Sequence, residues 1–339
     1  EYASYRNELE YARLMAGRVG AEHHEMRLTL DHLLDFLPQM VRLQDEPIAD
    51  PVCVPVYYVS KLARDNGVTV CQVGEGADEL FFGYEHWRMM LRLQQADGLP
   101  VPRALKRLGV GLLGALGQGD ASYTEWLRRG ADGVPVFWGG AEAFTGAQKQ
   151  ALLSPRLRAK FAGRTSWEAL APIHDRFTQK AWEPSPLAWM TYLDLCYRLP
   201  ELLLMRVDKM SMGVALEARV PFLDHRFVEL AMSIPQAAKV RGEGSKRLLK
   251  QAVRGLIPDE LIHRRKQGFG VPVYEWFFGR LGEKTHAELE AFCAETDFLD
   301  REGVMAFLDQ GRGAQAWYLL NVALWWREYI SGERLAVSD

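Results

Sequence analysis

The stretch Asn66-Gly67-Val68-Thr69-Val70-Cys71-Gln72-Val73-Gly74-Glu75-Gly76-Ala77-Asp78-Glu79-Leu80 decides the fold. Val56, Val59, Leu62 and Ala63 repeat at helical spacing just before it, and Gly67 suits the left-handed cap that stops a helix. Val68 to Val73 is a short apolar run, the best strand in the chain. Gly74 to Asp78 reads as a turn, and a helix starts near Glu79. Helix, glycine, strand, glycine-rich turn and helix form the rhythm of a parallel α/β layer.

Outward from this stretch the pattern is mostly helical. Glu8 to Arg18 reads as a helix closing near Gly20, and His23 to Leu28 as a short strand. Leu30, Leu33, Leu34, Leu37 and Val41 form another helical stripe, and Asp45 to Pro51 a loop. Residues 96–120 are rich in Gly and Pro, and helical patterns prevail from about 122. Trp317 to Ile330 is apolar nearly all round, as in a buried helix. The expected organisation is an α/β part over 1–95, a helical and least diagnostic part over 96–180, and a helical part with catalytic segments over 181–339.

With 339 residues and 48% hydrophobic content, the chain can bury a sizeable core. A formal net charge of −3 gives no overall basic field for nucleic acid or a membrane surface, so an anionic ligand needs local charge or a metal. Cys53, Cys71, Cys196 and Cys293 have neither CxxC nor zinc-finger spacing. Three of them sit among apolar or aromatic neighbours and read as buried free thiols, which fits a reducing, cytoplasmic compartment. No signal-peptide pattern is visible, and no apolar run approaches the roughly 18 residues of a membrane span. The chain begins at Glu1 without a methionine, which reads as a fragment, a processed chain or a longer protein whose N-terminus lies before Glu1.

The acidic turn carries the first chemistry. It lies at the carboxyl end of a strand, where open α/β sheets bind ligands, and its glycines Gly74 and Gly76 allow close backbone approach. A helix start there favours phosphate, yet Glu75, Asp78 and Glu79 repel it. Mg²⁺ resolves the conflict, since it binds through one or two carboxylates plus substrate phosphates. Asp78 is the better metal ligand, and Glu75 suits a general base or positioning group. The structural reading is that acidic residues in a first turn merely complement the helix dipole, which fits Glu79 better than Glu75.

Gly242-Glu243-Gly244-Ser245-Lys246-Arg247 supplies the second feature. Ser245 is a good N-cap, and Leu248, Leu249, Ala252, Val253 and Leu256 make the expected buried face. Lys246 then sits in a first turn, where the dipole opposes it by roughly 0.3–1 kcal/mol. It is placed to hold departing phosphates; a solvated lysine beside a cap is the alternative. Arg206 to Ser211 and Glu217 to His225 carry charges among apolar residues, dense enough to suggest buried ion pairs. Arg264 to Pro272, with Lys266 beside glycines, either reaches phosphate or is a solvated turn.

These segments, in this order, resemble the synthetase domain of the glutamine-dependent asparagine synthetase family. The likeness starts at Asn7 to Arg13 and His23-His24-Glu25. It runs through Asp45 to Pro51, the acidic turn, Arg206 to His225 and Ser245-Lys246, and ends over Lys266 to Trp276. The resemblance implies an α/β fold with an incomplete parallel sheet of the adenine-nucleotide alpha-hydrolase (PP-loop) type, followed by a largely helical part. It implies ATP-dependent ligase chemistry: a carboxylate, aspartate by default, is adenylated with release of pyrophosphate, and ammonia attacks the acyl-adenylate. In that scheme Glu75 is a catalytic glutamate near the acyl centre, Asp78 binds Mg²⁺ on pyrophosphate, and Lys246 stabilises the transferring phosphates. Arg206 matches an arginine near the reaction centre. Asp45, Asp208 and Lys266 lie near the site without a named role.

The likeness has gaps. The family's Ser-Gly-Gly-x-Asp-Ser phosphate loop and its glutaminase domain are not in these residues, and position 73 is Val where the family commonly has Ser. The expectation is therefore that ammonia comes from a domain outside this segment, and that the segment by itself is not fully active. A homodimer is left open as its assembly. Relatives with these motifs also close β-lactams, cyclise peptides or amidate sugar acids, and a non-catalytic binding relative is the reading from another class.

Overall fold

The computed structural model describes residues 8–242, 244–264, 269–333 and 335. It is a largely helical α/β protein, and the chain divides into two compact units. The first comprises Glu1–Gly74, Leu202–Pro221 and Lys250–Asp339; the second comprises Glu75–Glu201 and Phe222–Leu249. The units therefore interleave along the chain.

In the first unit, β1 (Val70–Gln72) pairs in parallel with β2 (Glu217–Arg219), in the register Val70 with Glu217, Cys71 with Ala218 and Gln72 with Arg219. Val73 N–H donating to the Arg219 carbonyl (2.8 Å) and Glu217 N–H donating to the Thr69 carbonyl (2.9 Å) extend the ladder. β1 falls inside the run Val68 to Val73. A parallel pair needs a crossover, and here the crossover segment contains Glu75–Glu201, the larger part of the second unit.

Around the strands, the helix Leu30–Gln44 buries Leu33, Phe36, Leu37, Met40, Val41 and Gln44, one face at helical spacing. Thr29 caps it, with His32 returning the bond to the Thr29 N–H. This face packs with Cys53, Val54, Met210, Leu281, Trp317, Leu320 and Leu324 into one core. The helices Leu9–Val19 and Cys53–Asp65 and the left-handed Gly20 (φ 66°) and Gly67 (φ 84°) stand where the sequence pattern puts them. The helix Gly313–Tyr329 buries Trp317, Leu319, Leu320 and Leu324 but leaves Val322 and Tyr329 exposed, as is Ile330 just after it.

Other expectations change. Residues 21–29 form no strand, so His23 to Leu28 is a connection without regular secondary structure. The glycine-rich region contains the helix Arg103–Ala115. All four cysteines are free, and Cys53 alone is fully buried; burial pushes its thiol up to about 12.

In the second unit, aromatic packing dominates. Phe82, Trp87, Phe137, Phe177, Trp189, Met190 and Leu193 share a core, with Trp87 and Phe137 edge to face at 5.8 Å. The Trp189 indole N–H donates to the Phe137 carbonyl (3.1 Å), so its polar atom is satisfied. A smaller cluster of Leu80, Phe81 and Ala231, with Phe222, Phe227, Leu248 and Leu249 against it, joins three short helices: Ala77–Leu80, His225–Ser233 and Arg247–Ala252. That cluster fixes the acidic turn relative to the lysine loop. No helix of the described residues is long and apolar enough to cross a membrane.

Candidate active site

Gly74 ends the opening segment of the first unit, and Glu75 begins the second unit. Gly76 has φ 92°, and a Cβ there would lie 2.4 Å from Leu223 Cδ2, so both conformation and space demand glycine. Around Gly74 the space is open. The helix after the turn is Ala77–Leu80, a single turn that begins two residues before Glu79, where the sequence pattern starts it. Phe82 is left-handed (φ 56°), and Gly83 N–H turns back to the Asp78 carbonyl at 2.8 Å.

Lys246 does not lie in the first turn of a helix. It precedes the helix Arg247–Ala252 in a left-handed conformation, φ 52°. The dipole argument therefore yields to one from strain, of order 1–3 kcal/mol for a residue held in a sparsely populated region. Its N–H donates to the Phe82 carbonyl (3.4 Å), and its Nζ donates to Asp78 Oδ2 at 2.8 Å. The Arg88 guanidinium donates to the carbonyls of Gly244 (2.8 Å) and Gly242 (3.4 Å), tying the lysine loop to the helix Glu85–Asp97. Gly83 lies where the two meet: a Cβ on it would be 2.0 Å from Asp78 Oδ1 and 2.6 Å from Lys246 Cε. The expected buried face of the following helix is only partly realised. Leu248 and Leu249 pack on the small cluster, whereas Leu256 is 74% exposed.

Beneath the turn is a charged floor. Glu79 is buried and accepts from the Tyr84 hydroxyl at 2.5 Å. It therefore does more than complement a dipole. Arg198 reaches Asp194 (3.2 Å) and Glu79 (3.8 Å) and lies 4.7 Å over the Tyr84 ring. Asp194 and Arg198 belong to a π-helical stretch, Asp194–Leu204, an uncommon winding often found near functional sites. Burial pushes the Asp194 carboxyl up to about 6 and raises Glu79 as well. The folded state thus binds the Asp194 proton more tightly than the unfolded chain, whose value is near 3.8. Stability from this group is full below that value, falls as pH rises through the folded value, and is flat above it. Asp194→Asn keeps an acceptor for the Gly140 N–H and should remove the dependence. Urea midpoints at about pH 4.5 and about pH 7 should show the wild type losing ground to the variant at the higher pH. A difference between the two proteins that does not change with pH would contradict this assignment.

In the first unit, Arg206 is buried and donates to Asp50 Oδ2 at 2.6 Å, while Lys209 donates to Asp45, itself left-handed (φ 53°), at 2.8 Å. These pairs bind the loop Asp45 to Pro51 to the helix Met205–Met212. The charges of Glu217, Arg219 and Asp224 are not buried: Glu217 pairs with Arg219 on the surface, and Asp224 caps the helix His225–Ser233. Lys266 lies outside the described residues.

The structure thus brings Asp78 and Lys246 into contact, with Glu75 three residues before Asp78 in the same turn. Sequence reasoning missed Gly83, Arg88, Asp194 and Arg198. Gly83, five residues after Asp78, had a faint local signal, as did the Asp194–Arg198 pair at i, i+4; Arg88 had none, because its partners lie far along the chain.

Among the described residues no group of three or more His, Cys, Asp or Glu is arranged to hold a metal. An all-protein Mg²⁺ cage therefore does not fit. A Mg²⁺ shared with phosphates needs only one or two carboxylates, and Asp78, paired with the Lys246 ammonium, could supply one of them.

Residues 2–327 match the asparagine synthase family. The chain is 32% identical over 334 residues to a Mycobacterium tuberculosis protein provisionally named asparagine synthetase (glutamine-hydrolysing), covering 94% of this chain and 48% of that one. It is 29% identical over 330 residues to asparagine synthetase (glutamine-hydrolysing) 1 of Bacillus subtilis, covering 94% and 50%. It is 24% identical over 302 residues to amidase chyE of Penicillium rubens, covering 82% and 43%. The chain spans about half the length of the two synthetases. A match over nearly every residue, including both segments that meet at Asp78 and Lys246, places this chain in the asparagine synthase family.

Proposed function

We propose that the protein carrying this chain is a ligase that makes an amide from a carboxylate, with ATP as the driving substrate and aspartate as the default acceptor. The observation that carries this reading is Lys246: a lysine held left-handed, tied by its backbone to Phe82 and by its side chain to Asp78. A surface lysine has no need of such strain, whereas a phosphate-handling lysine has, because electrostatic stabilisation depends on a charge fixed in advance.

In this scheme an acceptor carboxylate oxygen bonds to the α-phosphorus of ATP while the bond to pyrophosphate breaks. Lys246 donates to the departing phosphate oxygens, exchanging its present carboxylate partner for a phosphate. Asp78, released from the lysine, would hold Mg²⁺, which when bound offsets phosphate charge. Ammonia, supplied by glutamine hydrolysis elsewhere in the protein, then bonds to the acyl carbon and AMP leaves. Glu75 takes the proton that the attacking nitrogen sheds. Arg206, Gly74, Gly76 and Lys266 are assigned to the surroundings of the nucleotide and acyl group by their match to the family's motifs. The relative named as an amidase is one reason to keep the acceptor open.

A pyrophosphate-release assay on the full-length protein, run across a panel of carboxylates with glutamine or ammonium, tests this directly. Aspartate should stimulate release, and asparagine should accumulate in step with AMP. If no carboxylate on the panel stimulates release, the ligase reading fails and the non-catalytic relative takes its place.

A further inference from the structure

Lys239 is buried, with 8% of its surface exposed, on the short helix Gln236–Val240. Among the described residues its ammonium makes no ion pair with a carboxylate and no hydrogen bond, and the nitrogen itself keeps some exposure. Its nearest opposite charge, Glu183, is engaged elsewhere, accepting from the Gln236 N–H at 2.9 Å and the Ser185 hydroxyl at 3.4 Å. Burying the lysine without a paired carboxylate disfavours its charged form, which directs attention to what surrounds its tip.

Those surroundings are a cavity of about 200 Å³ that lies wholly in the second unit. Phe177, Leu187, Met232 and Ile234 give it apolar walls. Its charged lining is Arg176, Lys180 and Lys239 against Glu183, three cations to one anion. Arg176 already donates its Nε–H to the Tyr192 hydroxyl (2.6 Å), which leaves its terminal nitrogens for an acceptor. None of Glu75, Asp78 and Lys246 lines the cavity.

The geometry points to a binding site for a small carboxylate with an apolar body, its carboxylate on Lys239 and its hydrocarbon between Phe177 and Met232. The volume is below the roughly 300–1,000 Å³ of drug-sized sites, so the ligand is a short-chain or single-ring acid rather than a nucleotide. One wall residue, Thr191, donates its hydroxyl to the Glu79 carbonyl (3.3 Å), which connects the cavity to the helix carrying Asp78. Burial pushes the Lys239 amine down to about 8, so it is mostly charged at neutral pH. The titratable groups facing the cavity are Arg176 and Lys180 from one helix, Glu183 from the connection, Tyr192 from the next helix and Lys239 itself. Burial raises Tyr192, so it stays neutral over the same range.

Calorimetric titration of the full-length protein with hexanoate, hexanol, acetate and inorganic phosphate, without ATP, tests the assignment. Hexanoate should bind at least about tenfold more tightly than hexanol or acetate, equivalent to about 1.4 kcal/mol. Lys239→Met should lose that margin while unfolding at the same temperature as wild type or higher, because it removes a desolvated charge. Ala188→Leu, which fills the wall and spares the lysine, should weaken hexanoate as well. Hexanoate affinity should fall as pH rises past about 8 in the wild type and stay level in Lys239→Met. Hexanoate binding equally to wild type and Lys239→Met would overturn the site. Phosphate or acetate binding as tightly as hexanoate would overturn the apolar half of it. Because the readout is binding and not turnover, the result is independent of the ligase reading.

Discussion

Lys246→Ala in the full-length protein is expected to slow acceptor-dependent pyrophosphate release by about 10²–10³, the usual effect of deleting one preorganised donor to a developing charge. The structure adds a way to separate chemistry from conformation. Lys246 is left-handed at φ 52°, where an alanine pays about 1–2 kcal/mol and a glycine does not. Lys246→Gly should therefore be as slow as Lys246→Ala yet unfold at a higher denaturant concentration. In both variants Asp78 loses its 2.8 Å partner, but the pair is partly exposed, so the stability cost of losing it is small. Stopped-flow pyrophosphate detection with saturating acceptor measures the rate, and urea unfolding measures the rest. If Lys246→Ala turns over at the wild-type rate, the lysine is a surface cation paired with Asp78 and nothing more.

The contrast between Lys246 and its neighbours shows what a sequence carries. The stripe Leu33, Leu37 and Val41 and the run around Val70 were legible because local periodicity and β-branched content act on neighbouring residues. β2, only Glu217–Arg219, was not legible: three residues, two of them charged and exposed, become a strand only because β1 is beside them. The ammonium of Lys246 was legible as an odd cation after Gly242-Glu243-Gly244-Ser245, but its backbone was not. Its positive φ accompanies a backbone hydrogen bond to Phe82, 164 positions earlier. The dense charges of Glu217 to Asp224 misled for the opposite reason. Sequence density does not tell surface from interior: Arg206 is buried whereas Glu217 and Arg219 are not, and buried Glu79 meets Arg198 from more than a hundred positions away.

Gly83→Ala should damage the site without touching a charged group. The new Cβ would be 2.0 Å from Asp78 Oδ1, 2.6 Å from Lys246 Cε and 2.7 Å from Asp78 Cα. The side chains can swing away, but the Cα cannot move without opening the turn closed by the Gly83 N–H on the Asp78 carbonyl. Relieving the clash therefore shifts the helix Ala77–Leu80 or the lysine loop, and the Asp78–Lys246 pair separates in either case. Overpacking of this kind costs about 1–3 kcal/mol of stability. A displacement of about 1 Å at a reacting centre costs about 10² in rate, so pyrophosphate release should fall at least that far. Gly111→Ala supplies the control: it lies within the helix Arg103–Ala115 of the same unit, with open space around the new methyl. It should raise stability by about 0.5–1 kcal/mol and leave release unchanged. If Gly83→Ala folds and works as well as Gly111→Ala, the close approach of Asp78 and Lys246 over Gly83 is not what the reaction uses. The phosphate-handling role would then have to pass to residues other than this pair.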